Sequence, residues 1–450
     1  MSQDIRVKKG LNIKLKGQAV TAVATVSRSD FYAIKPTDFH GVTPKLAVKV
    51  GSEVVVGDVV FFSKDNEKIK FTSPVSGTVA EIKRGAKRKV LAVIIKSSSE
   101  DQFKDFGKSD PLQLEKEAVL EKILESGNFS SIKQRPYDIV ADPSDLPKAI
   151  FVSSFDTAPL GPHYAFALKG KDKAFQAGIN ALTKLTDGDV NLAVDADEVS
   201  FFHDIENANI LKVHGKHPAG NVGTHISAIN PINQGDLVWT VSAQGVATIG
   251  ELFLTGKYNP TKIVALAGSR VKNPQYFELR SGQNIKKLLE DHVEVEGSRI
   301  ISGSVLTGTQ IQLDDYLGFN DNLISVIPEG NKHRFFGWFP FVGSGSIHSA
   351  SKTSFSWLTP NKEYDLDTSL NGEDRALVVT GEMEKYVALD VFPMQLLKAC
   401  ISNDIEKMEN LGIYEVAPED FALVDYTNTS KLEAQEIIRQ GLDLMIKEVG

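Results

Sequence analysis

The sequence contains a single cysteine, Cys400, among its 450 residues. That excludes an intramolecular disulfide framework, and it excludes an iron-sulfur cluster held by the chain's own thiolates, which usually number about four. No stretch approaches the roughly 18 consecutive apolar residues that a membrane-spanning helix needs, and the segment Met1 to Gly10 lacks the apolar core of a signal peptide. Excess positive charge is missing too. The 50 Lys and Arg stand against 58 Asp and Glu, a net charge of -8, which argues against nucleic acid as the main partner. Ligand-loop signatures are also absent. No Gly-x-Gly-x-x-Gly follows a strand, Gly250 to Lys257 is one residue too long for a P-loop and runs into Tyr258 where Ser or Thr is required, and no Gly-x-Ser-x-Gly elbow marks a hydrolase.

What remains is a folded chain, with 42% apolar and 24% charged residues. Its length is about three times that of a usual domain, so several hydrophobic cores are expected. From Gly41 onward, valine runs punctuated by glycine (Lys45 to Gly51, then Glu53 to Phe62) read as short strands, and Phe71 to Ile82 with Val90 to Ile95 forms a second, similar half. This quasi-repeat resembles the biotinyl/lipoyl barrel-sandwich hybrid and is assigned to residues 1–100. The hairpin Ser63 to Lys68 carries Lys64 and Lys68, where carrier versions hold a modified lysine. Neither the biotin nor the lipoyl sequence context surrounds them, so a solvated turn is expected. Basic clusters at Arg6, Lys8, Lys9, Lys14 and Lys16, and at Lys83, Arg84, Lys87, Arg88 and Lys89, read first as solvated surface; an acidic partner protein or anionic headgroups would also suit them.

Beyond the serine-rich stretch Ser98 to Ser109, Asp110 as N-cap, Pro111 at the first turn and Gly127 past the end bracket a helix. Strands Ala149–Val152, Val190–Val194, Asn209–Val213, Asp236–Val241 and Lys262–Ala267 then alternate with helical spacing at Phe175, Ile179 and Leu182 and at Val246, Ile249 and Phe253. Such alternation predicts a mainly parallel, Rossmann-like α/β domain over 110–260. Phe155 to His163 follows the first strand at its carboxyl end, where such sheets place ligands. Its Asp156 and His163 are an acid-base pair only if a nucleophile or oxyanion partner joins them, and none is visible. The segment Gly215 to Ile226 holds His217 and His225 in a glycine-rich turn before a helix. With His203 and His214 it gives four nearby histidines, but the spacing fits no zinc pattern. Three readings stand: a conformationally demanding loop, a ligand or subunit contact, and the active loop of a free-standing soluble enzyme.

Toward the carboxyl end, Arg334 to Val342 packs five aromatics into nine residues, a density found in cores, on flat apolar ligands and at lipid interfaces. Pro393 to Leu411 reads as one helix with Leu397, Ile401, Ile405 and Met408 on a face, and Ser430-Lys431-Leu432-Glu433 as a capping box for a terminal helix.

Taken together, Lys8-Lys9-Gly10-Leu11-Asn12-Ile13, Ser73-Pro74-Val75-Ser76-Gly77, Ile150-Phe151-Val152 with Asp156-Thr157-Ala158-Pro159-Leu160, and His217-Pro218-Ala219-Gly220 with Gly223-Thr224-His225-Ile226 resemble the NqrA family, the A subunits of the bacterial sodium-translocating NADH:quinone oxidoreductases (Na+-NQR), nearly end to end. The resemblance implies a β-grasp (SLBB) module over 261–329, including Ser281 to Leu306, and a carboxyl-terminal region with helices over 330–450. It implies a peripheral subunit on the cytoplasmic face of the bacterial inner membrane, in a complex that passes electrons from NADH to ubiquinone or menaquinone and moves sodium outward. The partners implied are the other five subunits, chiefly the membrane-embedded B subunit, and quinone. Distant relatives in complex I and the Rnf complex carry a glycine-rich flavin/NADH loop and cluster cysteines. This sequence has neither, so FMN, FAD and iron-sulfur centres are expected only in the partner subunits, and no catalytic residue or metal ligand in this one. On the quinone-reducing side, the contact candidates are Phe155, Asp156, His217, His225, Phe336, Trp338 and Phe339.

Overall fold

The computed structural model describes residues 3–330, 335–337, 339, 347–350 and 355–449. Its centre is a seven-stranded sheet in the order Gln3–Val7, Asn209–Gly215, Asp189–Asp195, Ala149–Ser153, Val238–Ser242, Ile132–Arg135, Ile139–Val140. The first five strands are parallel and the last two antiparallel. Both faces of the parallel part are buried, which is why its strands read as near-continuous apolar runs. Ile150, Val152, Leu192, Val194 and Val241 point into one core and Ala149, Phe151, Ala193, Leu211 and Val238 into another.

Helices Asp172–Leu182 and Ala243–Thr255 cover the first face. They lie so close that a Cβ on Gly178 would stand 2.0 Å from the Val246 carbonyl oxygen, and one on Gly250 would stand 1.6 Å from that of Ala174. Helix Val222–Ile229 and the carboxyl-terminal helices cover the second face.

The barrel-sandwich hybrid is built from a four-stranded sheet (Phe31–Ile34, Val90–Ser97, Gly77–Arg84, Glu53–Val54) and a three-stranded one (Pro44–Leu46, Val59–Ser63, Lys70–Thr72). Phe61 and Phe71 stack at 4.5 Å in its core. Lys64 and Lys68 are exposed at the hairpin between two strands of the smaller sheet. The β-grasp region forms a six-stranded sheet around the core of Val264, Phe277, Leu289 and Ile324.

Two strands near the amino terminus lie outside the barrel-sandwich. Gln3–Val7 adds in parallel to Asn209–Gly215, and Val20–Thr25 adds in parallel to Gln275–Arg280 in the six-stranded sheet. Their partners, such as Leu211 for Gln3 and Gln275 for Val20, are more than two hundred residues away, so local pattern gives no sign of the pairing.

Helix boundaries differ from expectation in three places. Asp110 caps only the short 3-10 turn Pro111–Gln113, accepting from the Leu112 amide at 3.0 Å, and the helix proper is Lys116–Glu125. The stretch from Pro393 divides into Pro393–Ile401 and Ile405–Asn410, because Asn403 takes φ +54° and Asp404 starts a new helix by accepting from the Lys407 amide. The capping box at Ser430 does not form. Ser430 donates to the Ala376 carbonyl, and the terminal helix Ala434–Glu448 is capped by the Asp425 carboxylate, which accepts from the Ala434 and Gln435 amides.

The carboxyl-terminal helices are tied to the sheet by a buried ion cluster. Arg135, 1% exposed, donates to Asp420 at 2.9 Å and Glu419 at 2.5 Å. Removing one partner of such a buried pair strands the other's charge, so Arg135→Met is expected to cost about 3–5 kcal/mol, read as a lowered urea midpoint. An unchanged midpoint would mean that apolar packing alone holds this junction.

Candidate functional site

Three separate segments converge at the carboxyl end of strand Ala149–Ser153. The turn before helix Val222–Ile229 is the hub. Its His217 carbonyl accepts from the Leu11 amide at 2.9 Å, and its His217 amide donates to Asn12 Oδ1 at 2.9 Å. Gly10, at φ +128°, would place a Cβ 2.0 Å from that same carbonyl oxygen, so only glycine fits. On the other side, Thr157 Oγ1 accepts from the Gly220 amide at 2.9 Å and lies 3.1 Å from His217 Nδ1. Ser153 Oγ donates to the Gly220 carbonyl at 2.8 Å. Thr157 Oγ1 thus holds both the Gly220 amide and the His217 ring, whose other nitrogen, Nε2, is buried without a partner among the described residues.

His225 lies beneath. Its Nε2 donates to the Ala219 carbonyl at 2.7 Å, and its ring stacks on Phe155 with centroids 5.9 Å apart. Both imidazoles are buried, at 3% and 0% exposure. Desolvation pushes each down to about 4, so both are neutral at physiological pH. Neither faces open space, which leaves no acid-base role for this pair in a free-standing enzyme. They hold loops together.

Next to this knot is a cleft of about 270 Å³ between the loops that follow Ala149–Ser153 and Asp189–Asp195. Phe155 and Asp156 line it, with Gln18, His163, Asp195 and Glu198. Burial pushes Asp156 up to about 6 against the opposing hydrogen bonds from the Ala158 and Thr157 amides, the first at 2.7 Å. His163 and Glu198 pair at 3.0 Å. The cleft lies at the carboxyl ends of the parallel strands, next to but not at the point where their order reverses, which is between Ala149–Ser153 and Val238–Ser242, and carboxylates line it. A phosphate placed there would meet Asp156, Asp195 and Glu198.

Of the candidates read from sequence, Phe155, Asp156, His217 and His225 come together, with the first two facing the cleft and the histidines behind them. Phe336 and Phe339 are surface residues, 50% and 45% exposed, and Phe336 lies edge-on to Phe335 at 4.5 Å. Trp338 lies outside the described residues. Asp195, Glu198 and Gln18 reach the cleft from other segments, and no sequence motif marks them. The one signal available is an aspartate, Asp195, at the end of the second parallel strand. His214 pairs with Asp197 at 3.2 Å, and no group of three or more His, Cys, Asp or Glu able to hold a metal occurs among the described residues. Cys400 is buried and its thiol is pushed up to about 12 by desolvation, so it is inert.

Three family descriptions match in chain order: the NqrA N-terminal barrel-sandwich hybrid domain over residues 5–98, the NqrA second alpha/beta domain over 114–258, and the NQRA C-terminal domain, an SLBB model, over 263–312. They define the class as a multidomain chain joining those units. The A subunit of the Na(+)-translocating NADH-quinone reductase of Marinomonas sp. (strain MWYL1) is 33% identical over 448 residues, covering 98% of this chain and 99% of its own. The protein of the same name from Neisseria meningitidis serogroup B is 34% identical over 452 residues, covering 99% and 100%. The chain belongs to this NqrA family, the A subunits of Na(+)-translocating NADH-quinone reductases. Among solved structures, chains of an NAD+-reducing [NiFe]-hydrogenase in the air-oxidized and H2-reduced states align with TM-scores of 0.34 and 0.39 at 12% and 11% identity. The alignments cover 68% and 75% of this chain, and 55% and 62% of the hydrogenase chains.

The knot can be probed in two ways. Gly10→Ala is expected to destabilise by about 3 kcal/mol, from backbone strain plus overpacking, in urea titration; a loss under about 0.5 kcal/mol would show that the contact yields easily. The two histidines bind fewer protons folded than unfolded between pH 6.5 and 4, so their stabilisation is complete above 6.5 and lost toward 4, by up to about 3 kcal/mol each. Asp156 has the opposite sign, weakening the fold as pH rises from 3.8 to 6. Melting temperature should therefore fall from about pH 7 to about 4.5 in the parent, and fall less in the double variant His217→Gln/His225→Gln; equal slopes would refute the assignment.

Proposed function

We propose that this chain is a peripheral subunit, on the cytoplasmic face and the quinone-reducing side, of a sodium-pumping NADH:quinone reductase, and that it carries no flavin or iron-sulfur cluster itself. The observation that carries the reading is the end-to-end match to relatives named for that complex. Four features are in keeping with it. The one thiol is buried and unreactive. The carboxyl-end cleft is lined by carboxylates in place of a phosphate loop. No helix among the described residues is long and apolar enough to cross a membrane. The α/β sheet runs in the order of half a doubly wound, Rossmann-like fold, third-second-first-fourth strand, with a closing antiparallel pair.

In this reading FMN, FAD and the iron-sulfur centre reside in the other five subunits, the membrane-embedded B subunit is the principal neighbour, and ubiquinone or menaquinone is the acceptor. Phe155 and Asp156, with Thr157 beside them, bring the knot to the wall of the cleft. The Phe155 ring offers a flat apolar face, and Asp156, poised near 6, is able to hold or release a proton beside a reduced quinone. His217 and His225 act behind them as positioning residues. Phe336, Trp338 and Phe339 stand as a second aromatic group for contact with quinone or the membrane-embedded partner.

The test uses the purified six-subunit complex. Phe155→Ala and Asp156→Asn should raise the KM for quinone at least about threefold, or lower quinone reduction about tenfold, while NADH oxidation by an artificial acceptor is unchanged. Parental quinone kinetics in both variants would remove this cleft from the quinone path.

A further inference from the structure

The hairpin that joins strands Gly77–Arg84 and Val90–Ser97 of the barrel-sandwich hybrid ends in a concentration of positive charge. Lys83, Arg84, Lys87, Arg88 and Lys89 are all exposed, and none of the five pairs with a carboxylate among the described residues. Arg84 donates to the Arg88 carbonyl at 3.0 Å, across the neck of the hairpin. Its one acidic residue, Glu81, sits lower down, opposite Ile94. The other basic cluster, near the amino terminus, is partly spent within the chain, since Lys9 donates to the Leu389 carbonyl at 3.5 Å and Lys14 to Asn361 Oδ1 at 3.1 Å.

The turn at the tip is built against its own conformational preference. Ala86 to Lys89 is closed by the Lys89 amide, which donates to the Ala86 carbonyl at 3.1 Å, and both central residues take positive φ, Lys87 at +51° and Arg88 at +61°. A hairpin turn of that kind favours Asn-Gly, because a larger residue's Cβ crowds its carbonyl in the left-handed region. Lys-Arg is therefore the less stable choice locally, and what it adds is charge at the tip. A local cost of this sort marks a position kept for something other than stability.

Resting on the membrane-face placement proposed above, we infer that this hairpin tip is an electrostatic contact with the anionic headgroups of a lipid bilayer. Its chemistry favours a bilayer over an acidic protein. Only Gly85 and Ala86 separate the basic residues, so the tip offers none of the aromatic anchors on which protein interfaces depend, and three of its five charges are lysines, which such interfaces are depleted in. Mobile headgroups need no fixed geometry in their partner, and a cluster of roughly four to eight Lys and Arg is what an anionic surface attracts. The chain as a whole carries a net charge of -8, so the same surface repels the rest of it. Attraction at one hairpin and repulsion elsewhere orient the molecule, with the barrel-sandwich tip turned to the bilayer.

The test is sedimentation of the full chain with vesicles of phosphatidylcholine, alone or with about 30% phosphatidylglycerol. Retention by the anionic vesicles only is expected, falling steeply between about 0.05 and about 0.5 M sodium chloride as the contact is screened. Lys87→Asn/Arg88→Gly removes two charges and gives the turn its preferred residues. It should melt at least as high as the parent, yet bind the anionic vesicles at least about tenfold more weakly. Lys64→Gln/Lys68→Gln removes the same charge from the other exposed hairpin and should bind as the parent does. No retention by anionic vesicles, equal retention by both kinds, undiminished binding in Lys87→Asn/Arg88→Gly, or an equal loss in Lys64→Gln/Lys68→Gln overturns the proposal. So does loss of the Lys87→Asn/Arg88→Gly chain from the six-subunit complex in detergent, which would assign the tip to an acidic protein surface. None of these readouts involves quinone turnover, so a failure here leaves the kinetics of the Phe155 and Asp156 variants as the separate test of the quinone reading.

Discussion

The His217 peptide is held from both sides, by Leu11 and Asn12 through its carbonyl and amide and by Thr157 through its ring. Much of the molecule's arrangement depends on that clamp. It fixes where the amino-terminal segment turns, and so the register in which Gln3 faces Leu211 and Val7 faces Gly215. It fixes the loop carrying Phe155 and Asp156, and with it one wall of the cleft. Because Gly10 touches the His217 carbonyl with no room for a side chain, the clamp has one geometry only.

The carboxyl ends of the parallel strands carry a negative cleft. The loops after Ala149–Ser153 and Asp189–Asp195 bring Asp156, Asp195 and Glu198 to it. A phosphate-bearing ligand of the kind that parallel α/β sheets often hold would meet like charge there. Desolvation offsets part of that charge, since burial pushes Asp156 up to about 6.

The apolar skeleton was legible because it is local. Runs such as Ala149–Val152 and Val190–Val194, and the spacing of Phe175, Ile179 and Leu182, each declare an element without reference to the rest. The loop Phe155–His163 was legible as a ligand position because it follows a strand of that kind. What escaped has its cause far along the chain. Gln-Asp-Ile-Arg-Val carries a half-polar pattern that becomes a strand only against Asn209–Gly215. The terminal helix takes its cap from Asp425, across a turn, where a local serine is the expected residue. Asp195 and Glu198 reach the cleft from a different strand than Asp156. The break at Ser402-Asn403-Asp404 is the exception: an asparagine suited to φ > 0 beside an aspartate suited to capping is visible, and the apolar stripe running through it hides the signal.

The parallel pairings of Gln3–Val7 and Val20–Thr25 also have a consequence in time. During synthesis both strands leave the ribosome long before Asn209–Gly215 and Gln275–Arg280 exist. At about 5–20 residues per second, they wait roughly ten to fifty seconds with their backbone groups unpaired. The barrel-sandwich, which follows both in the chain, is able to close meanwhile, leaving the amino-terminal segment as a loose tether that pairs only when its partner strands have been made. Final assembly is thus paced by translation of the middle of the chain, and a nascent chain halted before Arg280 would hold a finished barrel and an unplaced amino terminus.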